Sequence, residues 1–406
     1  MNQRSFSTRD TCRVCHSKQL EIVLNYGEMP LAGGFFPADD ERSRRRFPLH
    51  LMRCKDCTLM QVAETVNPDA IFGTYSYTSS VNRTLVAHNT ELAVTLRQMV
   101  GDNGLIVEFG CNDGVLLNPL VKLGARVVGV DPSDVAERAS AEHGWPLVRG
   151  YFGNEVAARI RSRFGEAKII VANNVCAHVD DPNVLISGVT ELLAADGRFV
   201  FEVHYQGDLV ATRQYDTVYH EHTCYYSLAS LQRLLSAHNL HVVDVTRIPI
   251  HCGSIRVTAA RVGSGLEPLS SVETMIAEEA RLDVEGFGKF AKRHRKTLHD
   301  LIGNIRQAGK RVVAYGASGR ATILLNFCAL GPEMLDHVSD LSPLRYNRVV
   351  PGVCVPILPR AKFHENYPNY ALITAWNYET EIMVDERLFI EKGNAFIVPL
   401  PDIRVI

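Results

Sequence analysis

The chain has 406 residues, 46% of them hydrophobic, with 43 lysines and arginines against 45 aspartates and glutamates for a formal net charge of -2. That length and apolar fraction suffice for two or three domains with proper cores, and the near-neutral balance gives no electrostatic pointer to nucleic acid or to an anionic membrane. No apolar run approaches the roughly 18 to 20 residues that cross a bilayer, and the start MNQRSFSTRD lacks the apolar core of a signal peptide. The expectation is a cytoplasmic monomer or weak homodimer with no nucleic-acid or membrane partner.

In chain order the first signal is a pair of C-x-x-C knuckles, Cys12 and Cys15 in CRVC and Cys54 and Cys57 in CKDC. Two such turns complete the four-sulfur shell that zinc takes in structural sites, and in a reducing compartment they favour a metal over disulfides. The second knuckle lies between FPLHLMR and TLMQV, both strand-like, as in a zinc-ribbon hairpin. The knuckles are 38 residues apart, so residues 25–46 (NYGEMPLAGGFFPADDERSRRR) are expected to loop out, with RSRRR solvated. His16 is expected near the site or on the surface, not as a ligand. This zinc-binding N-terminal domain is assigned to residues 1–70.

From about residue 88 helical periodicity alternates with short apolar strands, the mark of an α/β domain with a mostly parallel sheet, assigned to residues 71–262. Its first strand and turn, GLIVEFGCNDGVLL, carry Glu108 and then a bend at Gly110, Asn112, Asp113 and Gly114. The spacing differs from the G-x-G-x-x-G that cradles a pyrophosphate, and an acidic residue in the bend suits S-adenosylmethionine, which has no phosphate and brings a sulfonium and an ammonium. The next strand ends in Asp131, where a carboxylate can accept both ribose hydroxyls. KIIVANNVCAHVDDP turns through Asn173, Asn174 and His178 at the carboxyl end of the sheet. GRFVFEVHY is the fifth strand, with Glu202 and His204 toward its end, and YHEHTCYYS (219–227) follows in the loop at the rim of the site. Taken in order, these elements predict a Rossmann-like class I methyltransferase sheet ending in an antiparallel pair. A metal bound by His204, His220 and His222 is the lesser reading of the histidines.

After about residue 263 long helical stretches appear, among them FAKRHRKTLHDLIGNIRQAG, whose KRHRK reads as a solvated helix face. A second glycine turn follows a strand in RVVAYGASGRATILLNFC: Gly316, Ser318, Gly319 and Thr322 bring amides and hydroxyls to a helix N-terminus beside Arg320, an arrangement suited to a diphosphate. The remainder repeats the strand-turn-helix rhythm of a smaller Rossmann-like half, assigned to residues 263–406. The predicted fold class is therefore α/β, with a zinc-binding N-terminal module, a central Rossmann-like class I methyltransferase domain and a smaller C-terminal Rossmann-like domain.

The combination of the two knuckles with PLAGGFF, YSYTSS, VEFGCNDGVLL, YHEHTCYYS, HCGSIRV and VAYGASGRATILLNFC resembles the sugar C-methyltransferases of branched deoxysugar biosynthesis, over essentially the whole chain. The resemblance implies a nucleotide-diphosphate-linked 4-keto-6-deoxyhexose as substrate, S-adenosylmethionine as methyl donor, a structural zinc, and methylation at C3. Carbon has no lone pair, so the reaction needs an enolate: a base near the C3 hydrogen and a donor near the keto oxygen. The resemblance makes His222 the base; Glu221 is expected to orient or tune it, Tyr219 and His178 to act as donors or relays, and Tyr75 or Tyr77 of YSYTSS to border cofactor and sugar. Where the family reads D-x-N-P-x-K-x-G, this chain reads SDLSPLRYNR, leaving Asp340 and Arg348 as candidate nucleotide-sugar contacts. The competing readings are an O- or N-methyltransferase of a similar sugar and a non-catalytic zinc-ribbon regulator that senses a nucleotide.

Overall fold

The structure, a computed structural model, describes residues 6–67, 78–250 and 253–406. At the N-terminus β1 (Phe6–Thr8) pairs with β5 (Glu64–Val66), while β2 (Leu20–Met29), β3 (Phe47–Cys54) and β4 (Met60–Val62) form an antiparallel meander. The second knuckle is the turn from β3 to β4. Residues 25–29 do not loop out: Leu24, Tyr26 and, past a register shift at Gly27, Met29 are buried in the core, so β2 runs on to Met29 and only the stretch from Pro30 leaves the sheet. The arginines of RSRRR are exposed, as expected, around a buried Ser43.

The central sheet is built from β6 (Leu105–Phe109), β7 (Arg126–Asp131), β8 (Leu147–Arg149), β9 (Ala167–Asn173) and β10 (Leu193–His204). The next strand, β11 (Cys224–Tyr225), leaves it, and β12 (Leu240–Ile248) and β13 (Ser254–Arg261) return to it. Among the described residues the order is β12-β13-β10-β9-β6-β7-β8, parallel except for β13, which inserts antiparallel between β10 and β12. Short β8 escapes a sequence reading because three residues carry no periodicity. β6 is buried along its whole length, as a strand covered on both faces must be.

β11 joins the N-terminal sheet instead. Cys224 and Tyr225 pair antiparallel with Gln61 and Met60, giving the order β11-β4-β3-β2. The loop after the fifth strand of one domain is thus a strand of another.

The C-terminal half contains β14 (Val312–Tyr315), β15 (Val338–Asp340), β16 (Ile357–Pro359), β17 (Tyr370–Ile373), β18 (Ala395–Val398) and β19 (Arg404–Val405), in the order β16-β15-β14-β17-β18-β19 and parallel but for the last. The helix Val284–Gln307 lies against β2, and one apolar core runs from Leu24, Leu49 and Val62 through Phe287 and Phe290 to Ala314. On that helix KRHRK is solvated only in part. His294 faces inward, its Nε2 2.6 Å from the Pro399 carbonyl and its Nδ1 2.8 Å from the Tyr215 hydroxyl, because it falls in register with the buried stripe of Phe290, Ala291 and Leu298. No helix among the described residues is long and apolar enough to cross a membrane.

Candidate active site and zinc cluster

In an open α/β sheet ligands collect where the strand order reverses, which here is between β6 and β9. Gly110, at the end of β6, has a left-handed backbone (φ 72°), and the Cγ2 of Val175 stands 2.2 Å from where its Cβ would be. Asp131 closes the turn from β7, accepting the amides of Asn112 (3.0 Å) and Ser133 (2.8 Å). The Asn112 and Asp113 side chains accept the amides of Ser79 (3.2 Å) and Ser80 (2.9 Å), which brings the start of the helix Arg83–Val100 over the bend. What is left is a concentration of acceptors. Glu108 Oε2, Asp113 Oδ1, Asn173 Oδ1 and Asn174 Oδ1 are buried with no hydrogen-bond partner among the described residues. Burial, followed by the charges of Asp131 and Asp113, pushes the Glu108 carboxyl well above the usual range. Unpaired buried acceptors are costly unless a donor arrives. A ligand bringing ammonium, sulfonium and ribose hydroxyls fits this cradle, and a pyrophosphate does not.

The second group of residues stands beyond β10. His222 is buried, with ring centroids 4.2 Å from Tyr219, 4.6 Å from His204 and 4.9 Å from His178. Its Nδ1 faces the Thr217 carbonyl at 3.4 Å. His178 Nδ1 lies 2.8 Å from the carbonyl oxygen of Glu221; a carbonyl only accepts, so Nδ1 carries the proton and Nε2 keeps its lone pair. Burial holds the His178 pKa below the ordinary value, keeping the ring neutral. The Glu221 carboxylate does not bond to the His222 ring as expected from the sequence. It accepts the amide of Gly33 at 3.3 Å, and burial pushes it up to about 7. Glu221 thus acts on its surroundings through its carbonyl, on His178, because the tight turn at 219–222 sends its side chain toward the N-terminal loop. His220 faces away from the cluster, its Nε2 3.0 Å from the Pro48 carbonyl and its ring on the edge of Phe47, so the three-histidine metal reading fails on geometry. Tyr75 and Tyr77 lie outside the described residues. His204 enters the cluster although the sequence weighed it only as a metal ligand; its place at the end of β10 was the available signal.

The turn after β14 is the next neighbour. A Cβ at Gly319 would stand 3.3 Å from the Cβ of Ala32 and 3.9 Å from the ring of Tyr219, so the second glycine turn abuts the tyrosine of the cluster. Three of its residues are engaged otherwise than expected. The Ser318 hydroxyl caps its own helix at Ala321 N (3.2 Å), and the Thr322 hydroxyl, fully buried, donates to the Ala32 carbonyl (3.2 Å). Arg320 forms a fork on Asp216 (3.0 and 2.9 Å), a carboxylate with no exposed surface that also accepts from Trp376 Nε1 (2.9 Å), and its guanidinium lies 4.4 Å over the Trp376 ring. A carboxylate so deeply buried requires such a partner; 104 positions separate the two, so the sequence could not show it. Arg348 is exposed and donates to the Phe35 carbonyl (2.6 Å), while Asp340 accepts Ala317 N (2.6 Å). Gly316 has φ 100°.

The four thiols gather as predicted. Cys12 and Cys57 sulfurs are 3.4 Å apart, Cys15 and Cys54 sulfurs 3.6 Å, and all four lie within 4.8 Å of one another. A tetrahedron with zinc-sulfur bonds of about 2.3 Å has edges near ~3.8 Å, so the sulfurs fit a zinc ion, while exposed His16 stands outside the cluster.

A reversing parallel sheet with an antiparallel insert, and an acceptor-lined glycine bend under a capping helix, define an S-adenosylmethionine-dependent methyltransferase of the class I fold. Residues 85–245 match a family described as a methyltransferase domain, residues 249–401 one described as a C-methyltransferase C-terminal domain, and residues 12–72 a zinc binding domain family. The C-methyltransferase NovU of Streptomyces niveus is 36% identical over 98% of this chain and 97% of its own. The chain belongs to the C-methyltransferase family. A ubiquinone biosynthesis O-methyltransferase of Bartonella tribocorum is 33% identical, over 24% of this chain and 39% of its own. Among solved structures, a magnesium protoporphyrin IX methyltransferase from Synechocystis covers 44% of this chain and 88% of its own at 16% identity and a TM-score of 0.34, too slight a likeness to bear on function.

Proposed function

We propose that this C-methyltransferase methylates C3 of a nucleotide-diphosphate-linked 4-keto-6-deoxyhexose through an enolate. S-adenosylmethionine supplies the electrophilic methyl when bound. The observation that carries the reading is the ring cluster: His222 enclosed by His178, His204 and Tyr219, with Tyr219 against the turn at Gly319. Such a cluster serves a carbon acid, since a hydroxyl or amine needs less help to lose its proton.

In this reading His222 takes the C3 proton. Tyr219 and His178 stand beside the developing oxyanion. Glu221, raised to about 7 by burial, supports the cluster by holding the neutral His178 ring through its carbonyl. Glu108, Gly110, Asn112, Asp113, Gly114, Asp131, Asn173 and Asn174 surround the methyl donor; Asp131 takes the ribose. Gly316, Ser318 and Gly319 offer the diphosphate a helix N-terminus, with Arg348 at its edge. Arg320 and Thr322 hold that turn in place instead of touching the ligand. The four cysteines hold structural zinc. An all-thiolate zinc site is the chemistry of a reducing compartment, which in this reading is the cytoplasm.

Incubation with S-adenosylmethionine carrying a carbon-13 methyl and a panel of 4-keto nucleotide sugars tests the proposal. The expected product gains one methyl, coupled to C3 in the carbon spectrum. A methyl found on oxygen or nitrogen, or no gain with any keto sugar, overturns it.

A further inference from the structure

The zinc knuckle carries a residue that neither the metal nor the fold of the knuckle requires. Arg13 sits between the first two cysteines and has no exposed surface. Its guanidinium nevertheless makes four bonds away from the cluster. Nη1 donates to the Asp180 carbonyl (2.9 Å) and to the Asp180 carboxylate; Nη2 donates to the Val62 carbonyl (3.0 Å) and the Thr65 hydroxyl (3.0 Å). Its own amide and carbonyl are taken by Gln61 Oε1 (2.8 Å) and Asn183 Nδ2 (3.0 Å).

Two of these acceptors, Asp180 and Val62, lead to the histidine cluster. Asp180 lies two residues past His178. Val62, whose carbonyl Arg13 holds, gives its amide to the Thr223 carbonyl (3.0 Å), and Thr223 follows His222. Thr223 closes the ring: its amide donates to the Ala177 carbonyl (2.8 Å) and its hydroxyl to the Val179 carbonyl (2.7 Å), on either side of His178. His178 in turn reaches back to the Glu221 carbonyl at 2.8 Å. A closed circuit of hydrogen bonds therefore runs from Arg13 through Asp180 and residues 177–179 to residues 221–223, and through Val62 back to Arg13.

We infer that Arg13 is a positioning residue for the reaction, the part through which the zinc module sets His178 and His222 against one another. The inference rests on the reading that these histidines do the chemistry. A planar guanidinium serves two strands and a carboxylate at once, which an ammonium on a flexible stem does not. A knuckle serving only to hold zinc has no use for a buried guanidinium whose Nη1 leaves the module for Asp180.

The test reads histidine placement instead of turnover, so it stands even if the sugar substrate is misassigned. Arg13→Lys keeps the buried charge and removes the fork; Asp180→Ala, at a half-exposed side chain, changes no residue of the knuckle and removes one acceptor of the Arg13 guanidinium. Both are examined with S-adenosylhomocysteine bound, by metal analysis, calorimetry and nitrogen-15 histidine spectra. In the wild type His178 is expected to show the single tautomer protonated at Nδ1. Arg13→Lys is expected to retain zinc and S-adenosylhomocysteine affinity, to lose the single-tautomer pattern of His178 and to shift the His222 signals, with Asp180→Ala doing the same in smaller measure. Unchanged ring signals in zinc-loaded Arg13→Lys overturn the inference. If Arg13→Lys fails to fold or loses its zinc, Asp180→Ala decides by the same spectra: altered His178 signals support the inference, and unchanged ones overturn it.

Discussion

The two glycine turns of this chain are built on one plan. Gly110 and Gly316 both follow the first strand of a reversing sheet with positive φ, and in both the residue facing the missing Cβ comes from the loop after the fourth strand, Val175 at 2.2 Å and Ala375 at 2.6 Å. Each has an aspartate at the end of the second strand that accepts an amide of the turn and the amide two residues ahead of itself: Asp131 from Asn112 and Ser133, Asp340 from Ala317 and Ser342. The difference lies in charge. With Gly110 aligned on Gly316, Glu108 becomes Ala314, Asp113 becomes Gly319 and Gly114 becomes Arg320. Backbone geometry thus repeats in both places, while the two acidic side chains that line the first turn, Glu108 and Asp113, have no counterpart in the second, where Arg320 is paired with Asp216.

The comparison is broken most severely at Arg320. If the arginine only neutralised a diphosphate, Arg320→Met would cost ligand affinity alone. With Asp216 left buried and held by Trp376 only, denaturant unfolding should instead show a loss of about 3 to 5 kcal/mol, most of it recovered by adding Asp216→Asn. Next come the glycines. Alanine at either Gly110 or Gly316 is expected to cost about 1 to 2 kcal/mol for the left-handed backbone alone, with more for the overlap. Binding separates them: Gly110→Ala should lose S-adenosylhomocysteine and keep a nucleoside diphosphate, and Gly316→Ala the reverse. Calorimetry with both ligands checks the crossing. Asp131→Ala is milder, with S-adenosylhomocysteine affinity falling about tenfold or more as the ribose bonds are lost and the diphosphate unaffected.

Stability should also depend on pH. Glu221 binds its proton more tightly in the folded chain, up to about 7, than at its ordinary value of 4.5. The fold therefore takes up a proton between those values, so the contribution is complete below 4.5 and lost as pH rises through 7, by at most about 3 kcal/mol. Unfolding curves across that window should flatten in Glu221→Gln.

What the sequence shows and what it hides follow from distance along the chain. The thiol knuckles, the acidic glycine bend, Asp131 and the strand-loop position of YHEH are written in contiguous residues, and spacing reveals them. The pairing of β11 with β4 joins residues more than 160 positions apart through a two-residue strand with no periodicity to read. Arg13 looks like an ordinary loop cation, and Arg320 like a diphosphate contact, until folding brings Asp180 and Asp216 to them. The side chain of Glu221 follows the same logic. Adjacency to His222 suggests a partner, but successive residues of a tight turn point apart, and the amide that meets the carboxylate belongs to Gly33.

The central claim, that the cluster around His222 removes a carbon-bound proton, is tested by hydrogen exchange. Wild-type enzyme with S-adenosylhomocysteine and a 4-keto nucleotide sugar in deuterated water should wash out the C3 hydrogen. His222→Asn should bind both ligands and leave it in place, with turnover in the full reaction down on the order of 100-fold or more. Exchange at the wild-type rate in His222→Asn would contradict the account and move the base to Tyr219 or His178.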